Sequence, residues 1–279
     1  MKTEYGHRED LVRIGAKLYA QGMVAGTNGN VSVRIDTDEI LTSPLGASLG
    51  ALDPEAVLKT SMSGDVIEGQ GVVSVEYPMH LEVYRGRSDV RAVVHGHPAT
   101  STGMAAARLS MTEPVLTEVL LGFGEIPLAE YAPPGTDAFP QSISDLVKGH
   151  DAILLANHGV VTMGKTLDEA CHRIEVVELI ARSMMAARQF GGGVVLSDAE
   201  AKELLEIRRS LTGGTADPSC TACREWTELS PTAQEGACMN CATCASDKSD
   251  KAAEPSAAGG NGSDEMVRRI ATEVIRKLG

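Results

Sequence analysis

Apolar side chains recur along this chain with two different periods. Over residues 9–23, Leu11, Ile14, Leu18 and Met23 return at helical spacing and predict one buried helix face. A glycine-rich turn at 26–30 follows. In the next segment Val31, Val33 and Ile35 alternate with polar residues, the pattern of a half-buried strand. Residues 78–87 predict a short helix with Pro78 in its first turn, and 91–98 a strand carrying Val93 and Val94. The run 151–163 reads as strand, turn, strand. Leu167, Ile174, Val177, Ile180 and Met184 then mark a long amphipathic helix that stops before Gly191. The resulting expectation is a mixed α/β domain over residues 1–212, large enough to bury a core of its own.

After Leu211 the texture changes. Residues 213–246 hold a turn-rich stretch and then Cys220, Cys223, Cys238, Cys241 and Cys244, five of the six cysteines in the chain. Residues 247–263 are rich in Ala, Ser, Gly and Pro and nearly empty of large apolar side chains, which predicts a flexible linker. Residues 264–279 are periodic again. Val267, Ile270, Val274 and Leu278 share one face, acids stand at the start, and Arg268, Arg269, Arg276 and Lys277 fill the rest.

Charge and composition narrow the function classes. There are 25 Lys and Arg against 38 Asp and Glu in 279 residues, a formal net charge of −13. That balance argues against a nucleic-acid surface, which needs a basic stripe, but not against a small phosphorylated ligand. The charged N-terminus lacks the apolar core of a secretory signal, and no apolar run approaches the roughly 20 residues that span a bilayer. The expected setting is cytoplasmic. There, clustered cysteines point to metal rather than to disulfides. Paired C-x-x-C knuckles suit a zinc held by four thiolates. The fifth cysteine makes C-x-x-C-x-x-C, so an iron–sulfur cluster stays open as well.

The most informative segment is Val93-Val94-His95-Gly96-His97-Pro98. Side chains i and i+2 of a strand share a face, so His95 and His97 would set two imidazoles side by side, a geometry that suits a divalent transition metal. His158, beside Gly159 at a strand end, is a third ligand candidate. Three histidines with an open fourth position describe a catalytic rather than a structural zinc site. Glu76, at the mouth of the 78–87 helix, is either a general base near that metal or simply a helix-terminal charge. His80, one helical turn further on, is either a neighbour supporting Glu76 or a packed helix histidine. The turn GTNGNVSVR, with Gly29 and Asn30, exposes backbone N–H groups suited to an anion.

Taken in order, GTNGNVSVR, LTSPLG, SVEYPMH, AVVHGHP and LLANHGVV together resemble the class II aldolase/adducin family, over roughly residues 10–190. The resemblance is strongest to its L-fuculose- and L-rhamnulose-phosphate aldolases. It implies a three-layer α/β/α sandwich around a mainly antiparallel sheet, assembled as a homotetramer with sites between subunits. It also implies zinc held by His95, His97 and His158, with Glu76 as base. The implied reaction cleaves a ketose 1-phosphate into dihydroxyacetone phosphate and L-lactaldehyde. An L-ribulose-5-phosphate 4-epimerase of the same family is the alternative, and a metal-binding assembly protein with a vestigial aldolase domain is a third. The phosphate cradle carries over as Gly29, Asn30, Ser43, Gly46 and Ser74. Leu45 and Val75 stand where the family has hydroxyl donors. Glu118 stands where fucose-type members place a partner subunit's tyrosine and rhamnose-type members a glutamate. Residues 264–279 resemble the encapsulation peptides that recruit enzymes to the shell proteins of bacterial microcompartments.

Overall fold

The computed structural model describes residues 2–212. The Cys-rich segment with Cys220, Cys223, Cys238, Cys241 and Cys244, the linker expected at 247–263 and the helix expected at 264–279 lie outside the described residues. The chain divides into the units Met1–Ser197 and Asp198–Gly279. Of the second, the described part is a helix at Asp198–Leu211.

The first unit is built on one eight-stranded sheet whose strand order puts the histidine strand at its centre. Helix α1 (Glu4–Ala20) starts at Thr3, whose hydroxyl accepts the Gly6 N–H, so it begins a turn earlier than the apolar spacing indicated. Then come β1 (Asn30–Arg34), β2 (Ile40–Thr42), β3 (Leu58–Thr60) and β4 (Val66–Glu68). Helix α2 (Tyr77–Gly86), β5 (Ala92–Gly96), α3 (Ala99–Ala106) and α4 (Thr117–Gly122) follow. The unit closes with β6 (Leu128–Ala129), α5 (Ala138–Gln141), the hairpin β7 (Ala152–Leu155) and β8 (Gly159–Gly164), and α6 (Leu167–Gln189).

The strand order is β4-β3-β2-β1-β5-β8-β7-β6. The expectation of a mainly antiparallel sheet is corrected here, because the sheet is mixed. Edge strand β6 pairs with β7 in parallel, Leu128 opposite Leu154. The chain between them crosses over through α5, the kind of connection a parallel pair requires. Around the centre, β5 runs antiparallel to both β1 and β8, with Asn30 opposite His95 and His95 opposite Val161.

Helices cover both faces of the sheet. Leu11, Ile14 and Leu18 of α1, Ala105 of α3 and Ile174 and Val177 of α6 pack with Val31, Val94 and Leu154. On the other face Tyr77, Leu81 and Tyr84 of α2 and Phe139 of α5 pack with Val93, Ile153 and Val161. Adjacent residues Val93 and Val94 thus serve opposite layers, which is why β5 and β7 carry consecutive apolar residues where β1 alternates. Within α6, buried Glu178 accepts the N–H groups of Thr100 and Ser101 and the Ser101 hydroxyl. It thereby satisfies the first turn of α3, directly after His97 and Pro98. Cys171, on the same helix, is a buried free thiol among apolar side chains, and burial pushes its pKa up to about 11, so it is inert packing. Among the described residues no helix is long and apolar enough to cross a membrane.

Candidate metal centre

Three separate chain segments bring the candidate ligands to one point. His95 is the penultimate residue of β5 and fully buried, and His97 follows just past the strand end. His158 lies in the β7–β8 turn, beside Asn157, whose φ of 56° is the left-handed conformation that asparagine tolerates better than most residues. Glu76 takes the N-cap position of α2, yet its side chain makes no capping bond. The Ser74 hydroxyl accepts the Glu76 N–H instead, and the carboxylate is free to turn inward. The helix-charge reading of Glu76 therefore gives way: its oxygens lie 2.8 Å from His158 Nε2 and 3.4 Å from His95 Nε2.

The three imidazoles form a near-equilateral cluster, with ring centroids 4.9, 4.9 and 5.0 Å apart. One donor atom from each of Glu76, His95, His97 and His158 lies within 4.8 Å of all the others. Tautomer chemistry fits a cation at that point. His95 Nδ1 donates to the Val160 carbonyl at 2.9 Å, which leaves its Nε2 as a bare lone pair aimed at His97 Nε2, 3.1 Å away. Two imidazole nitrogens on one tetrahedral zinc stand about 3.3 Å apart at the usual bond lengths of about 2.0–2.1 Å. Burial, aided by the neighbouring histidines, lowers the His97 pKa to about 4, so the ring is uncharged at neutral pH as a ligand must be. Burial by itself would raise the Glu76 pKa. The close approach of His158 Nε2, with the His95 ring beside it, outweighs that and holds it well below the usual carboxylate range.

Close backbone approach makes this convergence sterically feasible. Gly29 has φ +80°, and a Cβ there would meet Val24 Cγ1 at 2.4 Å and the His95 carbonyl oxygen at 2.9 Å. Gly159 lets the His97 ring lie against the backbone, since a Cβ would sit 2.5 Å from His97 Cδ2.

The residues expected to cradle a phosphate lie on adjoining loops. A bridge between Pro44 and Val73 joins the loop carrying Ser43 and Gly46 to the one carrying Ser74. The Ser43 hydroxyl accepts the Val31 N–H, and Asn30 Nδ2 reaches Ser74 Oγ at 3.3 Å. Gly46 has φ +77° and open space where a Cβ would be. Leu45 and Val75 are both about half exposed. Glu118 is exposed in the first turn of α4 and is not part of the four-residue group. Sequence reasoning missed Ser32 and Tyr84, which connect to the site through His80. Two signals marked them: Ser32 is two residues from Asn30 on β1, and Glu76, His80 and Tyr84 are spaced by four along α2.

A family model for the class II aldolase and adducin N-terminal domain matches residues 9–185, more than half of the chain. The chain belongs to the class II aldolase and adducin family. That membership makes it a metal-dependent enzyme of the aldolase type, and three histidines and a carboxylate stand together as candidate metal ligands. It is 32% identical over 185 residues to a 3-oxo-tetronate 4-phosphate decarboxylase of Escherichia coli K12, covering 65% of this chain and 87% of that protein. It is 33% identical over 175 residues to an L-fuculose phosphate aldolase of Methanococcus maripaludis, covering 62% and 93%. Among solved structures, an L-fuculose 1-phosphate aldolase superposes with a TM-score of 0.68 at 29% identity, over 74% of this chain and 97% of that one. YgbL of Escherichia coli, described as an aldolase, epimerase or decarboxylase, gives 0.67 at 30% identity, over 73% and 100%. The decarboxylases are a class of relative that the motifs alone did not bring forward.

Proposed function

We propose that this chain is a metal-dependent carbon–carbon lyase that releases dihydroxyacetone phosphate from a phosphorylated hydroxyketone. The observation that carries this reading is the convergence of Glu76, His95, His97 and His158 within 4.8 Å. His95, His97 and His158 would hold the metal, zinc by the chemistry of the donor set. When bound there, the metal supplies an electrophile that polarises the carbonyl beside the bond that breaks. Glu76 handles the proton at the adjacent carbon. Its ionised oxygens, which face His158 Nε2 and Asn30 Nδ2, are the only carboxylate oxygens in the group. Gly29, Asn30, Ser43, Gly46 and Ser74 are proposed to seat the phosphate, on the turn before β1 and the two bridged loops beside it.

The first substrate is a ketose 1-phosphate of the L-fuculose or L-rhamnulose type, with L-lactaldehyde as the second product. That cleavage requires a base for the hydroxyl beside the breaking bond, and Glu118 of a second subunit is the proposed one. A second reading is favoured by two observations. Decarboxylases of a 3-oxo-tetronate 4-phosphate stand among the relatives, and Glu118 is absent from the four-residue group of a single chain. Loss of carbon dioxide gives the same phosphate product and requires only that a proton be returned to carbon, with no second base. Offering both substrates to the zinc-loaded protein decides between them. Dihydroxyacetone phosphate with lactaldehyde supports the first, and with carbon dioxide the second. An epimerised sugar phosphate without cleavage points to a 4-epimerase, and no turnover of either contradicts the lyase reading. In the productive case Glu76→Gln lowers kcat at least about 100-fold, the usual scale for a lost acid–base group.

The C-terminal segment is proposed to serve delivery rather than chemistry. Residues 264–279 tether the enzyme to a microcompartment shell, and Cys220, Cys223, Cys238, Cys241 and Cys244 hold a second metal, zinc or an iron–sulfur cluster. Shell co-fractionation unchanged by deletion of 264–279 contradicts the first. Metal content unchanged by Cys220→Ser with Cys238→Ser contradicts the second.

A further inference from the structure

A directed file of hydrogen bonds leaves the site and runs into the core beneath α2. Asn30 Nδ2 donates to Glu76 Oε2 at 2.7 Å and to Ser74 Oγ at 3.3 Å. On the other side of the same carboxamide, Asn30 Oδ1 faces His80 Nε2 at 2.5 Å. His80 Nδ1 is 2.7 Å from Ser32 Oγ, and Ser32 Oγ is 2.7 Å from the Tyr84 hydroxyl. Asn30, Ser32, His80 and Tyr84 are all buried, His80 and Ser32 completely.

The chemistry leaves one polarity for the whole file. An ionised carboxylate only accepts, so the nitrogen of the Asn30 amide must face Glu76 and its oxygen must face His80. That oxygen only accepts, so His80 must donate through Nε2. Buried beyond the reach of water, the ring stays neutral, its pKa lowered to about 3 chiefly by burial and further by His95. Nδ1 of the neutral ring is then an acceptor, Ser32 donates its hydroxyl proton to it, and Tyr84 donates to Ser32. The Asn30 amide hydrogens are therefore directed at Glu76 and Ser74.

We propose that His80 is a positioning residue for Glu76: it fixes the Asn30 carboxamide in the one orientation that commits its amide hydrogens to the carboxylate. The observations favour this over plain packing, because a buried histidine needs only satisfied nitrogens, whereas here satisfaction is obtained from a side chain that ends on Glu76. Without the His80 donor the Asn30 amide can rotate, presenting an oxygen to a carboxylate, and Glu76 loses its single orientation between His158 and His95. The inference rests on the reading of Glu76 as the proton-transferring group.

Two variants of the full-length, zinc-loaded protein test it. Glutamine at position 80 keeps an N–H donor near the place of Nε2, and phenylalanine keeps the bulk but no donor. We expect His80→Phe to lower kcat 10- to 100-fold while KM changes less than about threefold, and His80→Gln to restore kcat to within about fivefold of the parent. A readout independent of turnover accompanies these. Imidazole nitrogen NMR should show His80 as the neutral Nε2–H tautomer at pH 7. The Glu76 carboxyl carbon resonance should move in His80→Phe and stay in place in His80→Gln. An Nδ1–H tautomer, or a Glu76 resonance indifferent to His80→Phe, overturns the proposal even if no substrate is turned over. Equal losses of kcat in the two variants overturn it as well. Failure of the lyase reading alone appears differently, as no turnover in the parent with both NMR signatures intact.

Discussion

At the scale of single residues, the site depends on histidines kept neutral by burial, and this has a cost that acid reveals. His80 titrates near 6.5 in an unfolded chain and near 3 when folded. Between those values the unfolded chain binds a proton that the folded one does not. Stability from this group is therefore complete above pH 6.5 and falls as the pH drops toward 3. At about 1.4 kcal/mol per unit, lowering the pH from 7 to 5 should cost the metal-free protein about 2 kcal/mol through His80. Urea unfolding checks this: the parent should lose about that much more stability over the interval than His80→Gln. Parallel losses would mean that His80 titrates normally in the fold. Legibility at this scale was uneven. His95 and His97 were readable because alternation along a strand forces them onto one side. The roles of Asn30 and Ser32 were not, because nothing local says that β1 lies beside β5 with Asn30 opposite His95.

At the scale of elements, the site is a meeting of ends: the end of β5, the turn before β8 and the start of α2. The long periodic segments announced themselves, and α1, α2, β5, the β7–β8 hairpin and α6 fall close to where apolar spacing put them. Strands β2, β3 and β4 have three residues each and β6 has two, too few for a period to show. Pairing in the sheet, rather than local propensity, makes them strands. The parallel β6 is invisible for the same reason. The GTNGN turn carries a structural load beyond any role with phosphate, since Gly29 sits at positive φ against the His95 carbonyl. Gly29→Ala should destabilise the fold by roughly 2–4 kcal/mol, combining left-handed strain of about 1–2 kcal/mol with the cost of displacing Val24. It should also weaken metal binding, because the relief available is to push β5 away. Thermal unfolding together with metal titration checks both, and a variant that melts like the parent would show that the turn relaxes freely.

At the scale of the whole molecule, the residues of the candidate metal centre all lie in the first unit, within the stretch matched by the family model. Deleting residues 213–279 should therefore leave kcat and KM for the phosphorylated substrate unchanged within about twofold, while abolishing any shell association. A large loss of turnover would make the tail part of the catalytic machinery. Leu45, Val75 and Phe190 are exposed apolar side chains on the same unit, Phe190 at 89%. Together with Glu118 outside the four-residue group, they fit a homo-oligomer whose sites are completed between subunits. Light scattering of the purified chain should then give a tetramer mass. This is the level at which sequence was least informative, because a residue working across subunits, the role proposed for Glu118, would acquire its surroundings from a second copy.

The central claim is that Glu76, His95, His97 and His158 form one metal centre, and metal stoichiometry tests it most directly. Full-length protein and His158→Ala, purified in parallel and both folded by circular dichroism, should differ by one equivalent of zinc per chain in elemental analysis. Whatever metal the cysteine segment holds is common to the two samples and cancels. Equal zinc content in both would contradict the account.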